Sequence, residues 1–321
     1  MKVMVTGGAG YIGAHVVRLL QQRGDEVVVV DDLATGSADR IAGIPVIQLD
    51  LTSDRAVGVL EGALREHGVE AVIHFAARKQ VGESVDRPAW YYQQNIGALA
   101  NVLIALRGSA VTRMVFSSSA AVYGAAAVQA GLTDESSPTN PISPYGETKL
   151  AGEWLLSSAA RTSGLRAASL RYFNVAGAGW PELGDTAVLN LVPMVFEQLR
   201  CGLAPVIFGD DYDTPDGTCL RDYVHVLDVA EAHLATLDRL QRPGNRIYNL
   251  GTGVGSSVRE VVDEILRVAD VKIAPRIAPR RPGDPARVVA AVGLIREEIG
   301  WVARFGLSEV VASAWDAYRR S

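Results

Sequence analysis

Ser143-Pro144-Tyr145-Gly146-Glu147-Thr148-Lys149 sets a phenol and an ammonium four residues apart behind a helix start. A serine oxygen caps the first free amides of a helix and proline suits its first position. Tyr145 and Lys149 are therefore expected one turn apart on a shared face. A phenol with an ordinary pKa of roughly 10 is a poor base at neutral pH, and a fixed cation beside it favours the phenolate. The pair reads as an activated proton acceptor, although the stretch alone also fits a surface tyrosine and a solvated lysine. Ser117-Ser118-Ser119 follows an apolar run from Val111 to Phe116 that predicts a fifth strand. Those serines are either turn residues or the source of a hydroxyl that orients a substrate oxygen beside Tyr145. The second reading requires the tyrosine helix to pack on that strand.

The elements that would position such a base begin at the N-terminus. Val3-Met4-Val5 predicts a buried strand, Gly7-x-x-Gly10-x-x-Gly13 a tight turn, and the pattern through Leu20 a helix whose exposed amides can hold a diphosphate. Val27 to Val30 predicts a second strand ending in Asp31-Asp32, about 20 residues beyond the glycine turn. A carboxylate there accepts bonds from the adenosine ribose and repels a 2'-phosphate, favouring NAD over NADP; the alternative is a solvated acidic turn. Strands are also expected at Pro45 to Leu49, ending in Asp50-Leu51, and at Ala71 to Ala77, where His74 reads as a packed strand histidine. Pro88 to Leu106 reads as one helix with Trp90, Tyr91 and Tyr92, and with Asn95 on its inner side. Gly164 to Arg171 predicts a sixth strand running into Tyr172-Phe173-Asn174.

These elements imply an α/β fold: a doubly wound (Rossmann) parallel sheet over 1–176 with a smaller, discontinuous C-terminal substrate-binding domain, mainly 177–321. About 217–251 is expected to return to the first domain as strand and helix. Arg221 with Asp222, and Arg280-Arg281 with Asp284, form basic clusters of the kind suited to phosphate.

The chain has 321 residues, 48% hydrophobic and 21% charged, as expected of a globular protein with a substantial core. A net charge of -5 gives no general attraction to nucleic acid or an anionic membrane, so a phosphate-bearing ligand must be held by local groups. Two cysteines, Cys201 and Cys219, are too few for a disulfide framework or a zinc site, and no metal is expected. No signal peptide or membrane span is legible, which makes the cytoplasm the expected location.

These residues resemble the extended short-chain dehydrogenase/reductase family and, within it, the UDP-glucose 4-epimerases. The resemblance rests on Thr6 to Gly13, His74-Phe75-Ala76-Ala77, Val81 to Val85, Ser117 to Gly124, Ser143-Pro144-Tyr145 with Lys149, Leu170 to Asn174, Gly217 with Arg221 to Val226, and Tyr248 to Gly251. It implies bound NAD, a UDP-sugar substrate and 4-epimerisation through a transient 4-keto sugar. In that chemistry Tyr145 takes the proton of the sugar 4-hydroxyl, Ser119 bonds to the same oxygen, and Lys149 holds the nicotinamide ribose while lowering the tyrosine pKa. Carried-over cofactor contacts are Gly7, Gly10, Tyr11, Ile12, Asp31, Asp32, Asp50, Leu51, Phe75, Ala76, Ala77, Lys79, Asn95, Tyr145, Lys149 and Tyr172. Carried-over substrate contacts are Ser119, Tyr145, Phe173, Asn174, Asn190, Leu191, Val206, Phe208, Arg221, Tyr223, Val258, Arg281, Asp284 and Val288. Relatives are commonly homodimers through helices near Pro88 to Leu106 and Pro144 to Ala160.

Two positions depart from better-known members. Ala121 replaces a frequent threonine, and Val288 replaces a tyrosine that some relatives hold against the sugar, implying room for N-acetylhexosamine nucleotides. A 4,6-dehydratase needs an acid and base where Ala120 and Ala121 stand, and is disfavoured. A UDP-uronate epimerase or decarboxylase, another nucleotide-sugar enzyme of the same family, and a non-catalytic NAD-binding scaffold are the remaining alternatives; a scaffold typically loses the tyrosine or the lysine, and both are present.

Overall fold

The computed structural model describes residues 1–124, 131–281 and 283–320. In chain order its elements are β1 (Lys2–Thr6), α1 (Tyr11–Gln22), β2 (Glu26–Asp31), β3 (Val46–Gln48), α2 (Ala56–Glu66), β4 (Ala71–His74), α3 (Val81–Asp86), α4 (Pro88–Tyr92), α5 (Ala98–Leu106), β5 (Arg113–Ser119), α6 (Pro144–Ser163) and β6 (Arg166–Tyr172). There follow β7 (Asn174–Ala176), α7 (Leu191–Arg200), β8 (Val206–Phe208), β9 (Leu220–His225), α8 (Val226–Arg239), β10 (Gly244–Leu250), β11 (Gly255–Ser257), α9 (Val258–Ala269), β12 (Arg276–Ala278), β13 (Arg287–Val288), α10 (Gly293–Ile299) and α11 (Leu307–Arg320). Two compact units result: Met1–Gly124 with Thr139–Arg171 and Ala230–Tyr248, and Ala125–Pro138 with Tyr172–Val229 and Asn249–Ser321.

The first unit is built on a seven-stranded sheet of order β10-β6-β5-β4-β1-β2-β3. Pairs β1/β2, β1/β4, β2/β3 and β4/β5 are parallel. Strands covered on both faces bury every side chain, which is why Val27 to Val30 and Ala71 to Ile73 are apolar without alternation. Strand order reverses between β1 and β4, so the loops leaving these two strands flank the switch point where such sheets bind ligands. Below them Met4, Val28, Val30, Val72, Met114 and Phe116 form one core with Leu60, Leu64, Leu99, Val102 and Leu156 from the helices. Each such side chain contributes about 1.5–3 kcal/mol by leaving water.

The helix expected over Pro88 to Leu106 is not uniform. It runs as α4, a π-helical turn over Gln93–Gly97, and α5. A π-turn adds one residue to the turn and re-aims the side chains within it; here it directs Asn95 inward, where it is buried. The fifth strand runs through Ser119, so the three serines belong to the strand itself.

The second unit has a four-stranded sheet in which β9 pairs with β7, β11 and β13, and a two-stranded sheet of β8 and β12. Leu220–His225, expected among the doubly wound material, pairs here instead; 230–248 is the segment belonging to the first unit. Its core packs Val192, Val195, Phe196 and Ile207 against Val261, Ile265, Val310 and Val311. Among the described residues no helix is long and apolar enough to cross a membrane.

Candidate active site

Within the first unit, α6 begins as its sequence predicts. Ser143 Oγ accepts the Gly146 amide at 3.2 Å, Pro144 occupies the first position, and Gly164 ends the helix in the left-handed region. Two glycines let α6 lie close to β5. A Cβ on Gly146 would stand 2.7 Å from the Ala121 carbonyl oxygen, and one on Gly152 2.7 Å from the Phe116 ring. That approach satisfies the packing condition set by the sequence: the Ser119 side chain favours the Tyr145 phenolate, and Lys149 Nζ donates to the Ser117 carbonyl at 2.8 Å. Ser119 Oγ also accepts the Ala121 amide at 3.1 Å.

The electrostatics differ from expectation. Burial pushes the Tyr145 phenol above its ordinary value, and the Ser119 bond opposes that shift. Burial also lowers the Lys149 ammonium to about 7, with the Glu153 carboxylate acting to raise it. Nζ lies 5.8 Å from the Tyr145 ring centroid. Burial thus works against the charged form of both groups.

Several supporting groups were not legible in the sequence. Glu153, one turn beyond Lys149, is bonded by Arg171 through Nε at 2.9 Å and Nη2 at 2.7 Å, and accepts Ser118 Oγ at 2.5 Å. Arg171 lies 4.8 Å over the Tyr123 ring. Asn95 Nδ2 donates to Thr148 Oγ1 at 2.9 Å and to the Arg78 carbonyl at 3.1 Å, while its Oδ1 accepts the Arg78 amide at 2.8 Å. It thus stitches the loop after β4 to α6. His74 is a packed histidine: its Nδ1 bonds Thr6 Oγ1 at 2.7 Å, and burial lowers it to about 3, so it stays neutral.

At the switch point Gly7 has φ +71°, and a Cβ on it would stand 2.6 Å from the Ala76 nitrogen. The Ala76 and Phe75 amides both donate to the Thr6 carbonyl, and Phe75 packs 4.7 Å from His233. Gly10 stands at the N-terminus of α1 with no side chain to cap it, so the Tyr11 and Ile12 end of the helix is open to an anion. Asp31 is buried and accepts the Ala9 amide at 3.0 Å and the Leu33 amide at 2.9 Å. Burial raises its pKa against those bonds. Asp32 is paired with Arg78. Asp50 caps Thr52, and Leu51 is buried with its carbonyl bonded by Asn101. Ala77 is half-buried and Lys79 exposed beyond β4, and Tyr172 is buried at the end of β6.

The second unit holds a cavity of about 240 Å³ lined by Asn174, Asn190, Leu191, Val206, Phe208, Arg221, Tyr223, Val258, Arg281 and Asp284, together with Val192, Met194 and Cys219. The family resemblance named ten of these residues, and all ten line this cavity. Phe173 and Val288 lie outside this lining; Val288 stands in register with Arg221. Arg221 does not present a bare fork. It donates to the Leu220 and Pro285 carbonyls at 2.8 and 2.9 Å and to Asp284 at 2.8 Å. The Arg281 guanidinium lies 4.0 Å from the centre of the Phe208 ring, giving a flat cationic and aromatic wall. Asp222, paired with Arg221 on sequence, instead anchors the Thr252, Gly253 and Ala290 amides, and Arg280 pairs with Asp211.

A family model described as the NAD dependent epimerase/dehydratase family matches residues 3–251. The chain belongs to that family. It is 43% identical over 320 residues to the UDP-glucose 4-epimerase of Azospirillum brasilense, covering 98% of this chain and 90% of the relative. Its structure is similar to a UDP-glucose 4-epimerase from Stenotrophomonas maltophila with bound NAD and formylated UDP-arabinopyranose, with a TM-score of 0.93, 40% identity, and coverage of 100% of this chain and 98% of the other. The UDP-Glc/GlcNAc 4-epimerase of Campylobacter jejuni superposes with a TM-score of 0.87 at 34% identity, covering 100% of this chain and 99% of that one.

Proposed function

We propose that this chain is an NAD-dependent 4-epimerase of UDP-hexoses, interconverting UDP-glucose and UDP-galactose through a 4-keto sugar. The observation that carries the reading is Tyr145 with Lys149 one turn beyond it on a helix packed against β5, where Lys149 Nζ is bonded to the Ser117 carbonyl. NAD fits the residues present. The open end of α1 suits a diphosphate and the buried Asp31 suits the adenosine ribose, with Lys149 for the second ribose. When bound, NAD supplies a cationic hydride acceptor that afterwards returns the hydride.

Within the first unit, Tyr145 removes the proton of the sugar 4-hydroxyl while Ser119 holds that oxygen. Lys149, with Glu153 supporting its charge, stabilises the phenolate. Tyr145 would give that proton back to the same oxygen as the sugar carbon is reduced on its opposite face, so the inversion leaves no net redox change. Nucleotide recognition falls to the second unit's cavity, where Phe208 and Arg281 suit a flat base and Arg221, Asn174 and Asn190 suit the diphosphate. Absence of an acid and base at Ala120 and Ala121 leaves nothing to expel water from C5 and C6, which disfavours the dehydratase.

N-acetylhexosamine nucleotides are included in the proposal, on the small Val288 and on the similarity to the UDP-Glc/GlcNAc 4-epimerase of Campylobacter jejuni. Activity on UDP-glucose with none on UDP-N-acetylglucosamine would remove that extension. A homodimer is proposed through α4, α5 and α6, which expose Tyr92, Ile104 and Trp154, the last at 63%. A cytoplasmic location is proposed from the two free thiols, Cys201 and Cys219, together with the need for NAD.

The direct test incubates the purified protein with UDP-galactose, without added cofactor, and follows UDP-glucose. Formation of UDP-glucose up to equilibrium is expected. No turnover, with NAD bound in the protein, would leave the scaffold reading.

A further inference from the structure

The tandem acids after β2 do different jobs. Asp31 spends both oxygens on backbone amides inside the protein. Asp32 Oδ1 accepts the Ala34 amide at 2.9 Å, and its Oδ2 accepts Arg78 Nη2 at 2.5 Å. Arg78 comes from the loop after β4, across the switch point. Its Nε donates to Gln94 Oε1 at 3.3 Å, its amide to Asn95 Oδ1 at 2.8 Å, and its guanidinium lies 5.6 Å from the Trp90 ring centre. With side-chain exposures of 21% and 29%, the pair is shielded beyond the level of an open surface contact. The turn that aims it includes Leu33 in the left-handed region at φ 58°, a conformation that costs energy in a non-glycine residue.

We propose that Asp32 and Arg78 form a cofactor-selectivity lock, in which Asp32 holds a guanidinium that would otherwise receive the 2'-phosphate of NADP. An arginine beside the adenosine ribose is the group that accommodates a 2'-phosphate, and a carboxylate at the end of β2 is the group that rejects it. This chain carries both, and the ion pair decides between them. Asp32 repels the phosphate and also occupies its receptor. Its replacement by asparagine keeps the acceptor for Ala34 while releasing Arg78.

The inference rests on the reading of the glycine turn as a dinucleotide site, and the test separates the two. The full-length chain, stripped of resident dinucleotide, is titrated with NADH and with NADPH by fluorescence as wild type, Asp32→Asn and the double variant Asp32→Asn with Arg78→Ala. Wild type is expected to prefer NADH. Asp32→Asn should bind NADPH about tenfold more tightly or better, the scale of one charged hydrogen bond, and the double variant should lose that gain. Unchanged NADPH affinity in Asp32→Asn with NADH binding intact, or a gain that survives Arg78→Ala, overturns the lock. Failure of the wild type to bind NADH contradicts the dinucleotide site itself.

Discussion

Tyr145 and Lys149, the proposed base and cation, are both pushed by burial away from their charged forms. The phenol is raised by burial and Lys149 is held at about 7. Tyr145→Phe removes the proton acceptor with no change of shape; turnover should fall about 10²–10⁴-fold, with bound NAD content and UDP affinity unchanged. Lys149 also leaves a mark on stability. Folded, it keeps its proton only up to about pH 7, against an ordinary value of 10.5. The unfolded chain binds more protons between those values, so the contribution of this group to stability rises with pH across that window and is least favourable below about 7. Lys149→Met should therefore raise the melting temperature at pH 7 and flatten its pH dependence up to 10.5 while lowering turnover. A melting temperature that falls would show the amine to be well solvated in the native state.

At the scale of elements, the account turns on how closely α6 approaches β5. Gly146 has backbone, not a movable side chain, in the way of a Cβ. Gly146→Ala should cost about 1–3 kcal/mol in urea unfolding and reduce kcat through the neighbouring Tyr145. Beneath that contact the Arg171 and Glu153 pair is buried, at 3% and 2% exposure. Breaking it with Glu153→Gln leaves a buried cation alone, an expected loss of about 3–5 kcal/mol. Local order was legible here: the Ser143 cap, the β-branched runs and the glycine turn each act over a few residues. Glu153 with Arg171, Asn95 with Thr148, and Asp32 with Arg78 were not, because the partners lie 18, 53 and 46 positions apart. Nor does periodicity reveal the π-turn over Gln93–Gly97, since the one-residue insertion is set by packing that re-aims Asn95.

For the whole molecule, the chain passes repeatedly between two units, one carrying Tyr145 and Lys149 and one carrying the cavity lined by Arg221 and Arg281. If the cavity serves the nucleotide and not the chemistry, Arg281→Ala should weaken UDP inhibition and raise KM while leaving kcat within about twofold, as loss of uniform binding requires. The resemblance supplied the ten cavity residues, which are scattered over more than a hundred positions of sequence and share no local signal. If the exposed Trp154 face joins two copies, Trp154→Glu should yield monomers by sedimentation. The claim on which the rest depends is that hydrogen leaves C4 as hydride and returns without meeting water. Run in D₂O with UDP-galactose, the protein should give UDP-glucose with no deuterium at C4 by NMR; deuterium at that carbon would mean that C4 is deprotonated and not oxidised, and would contradict the account.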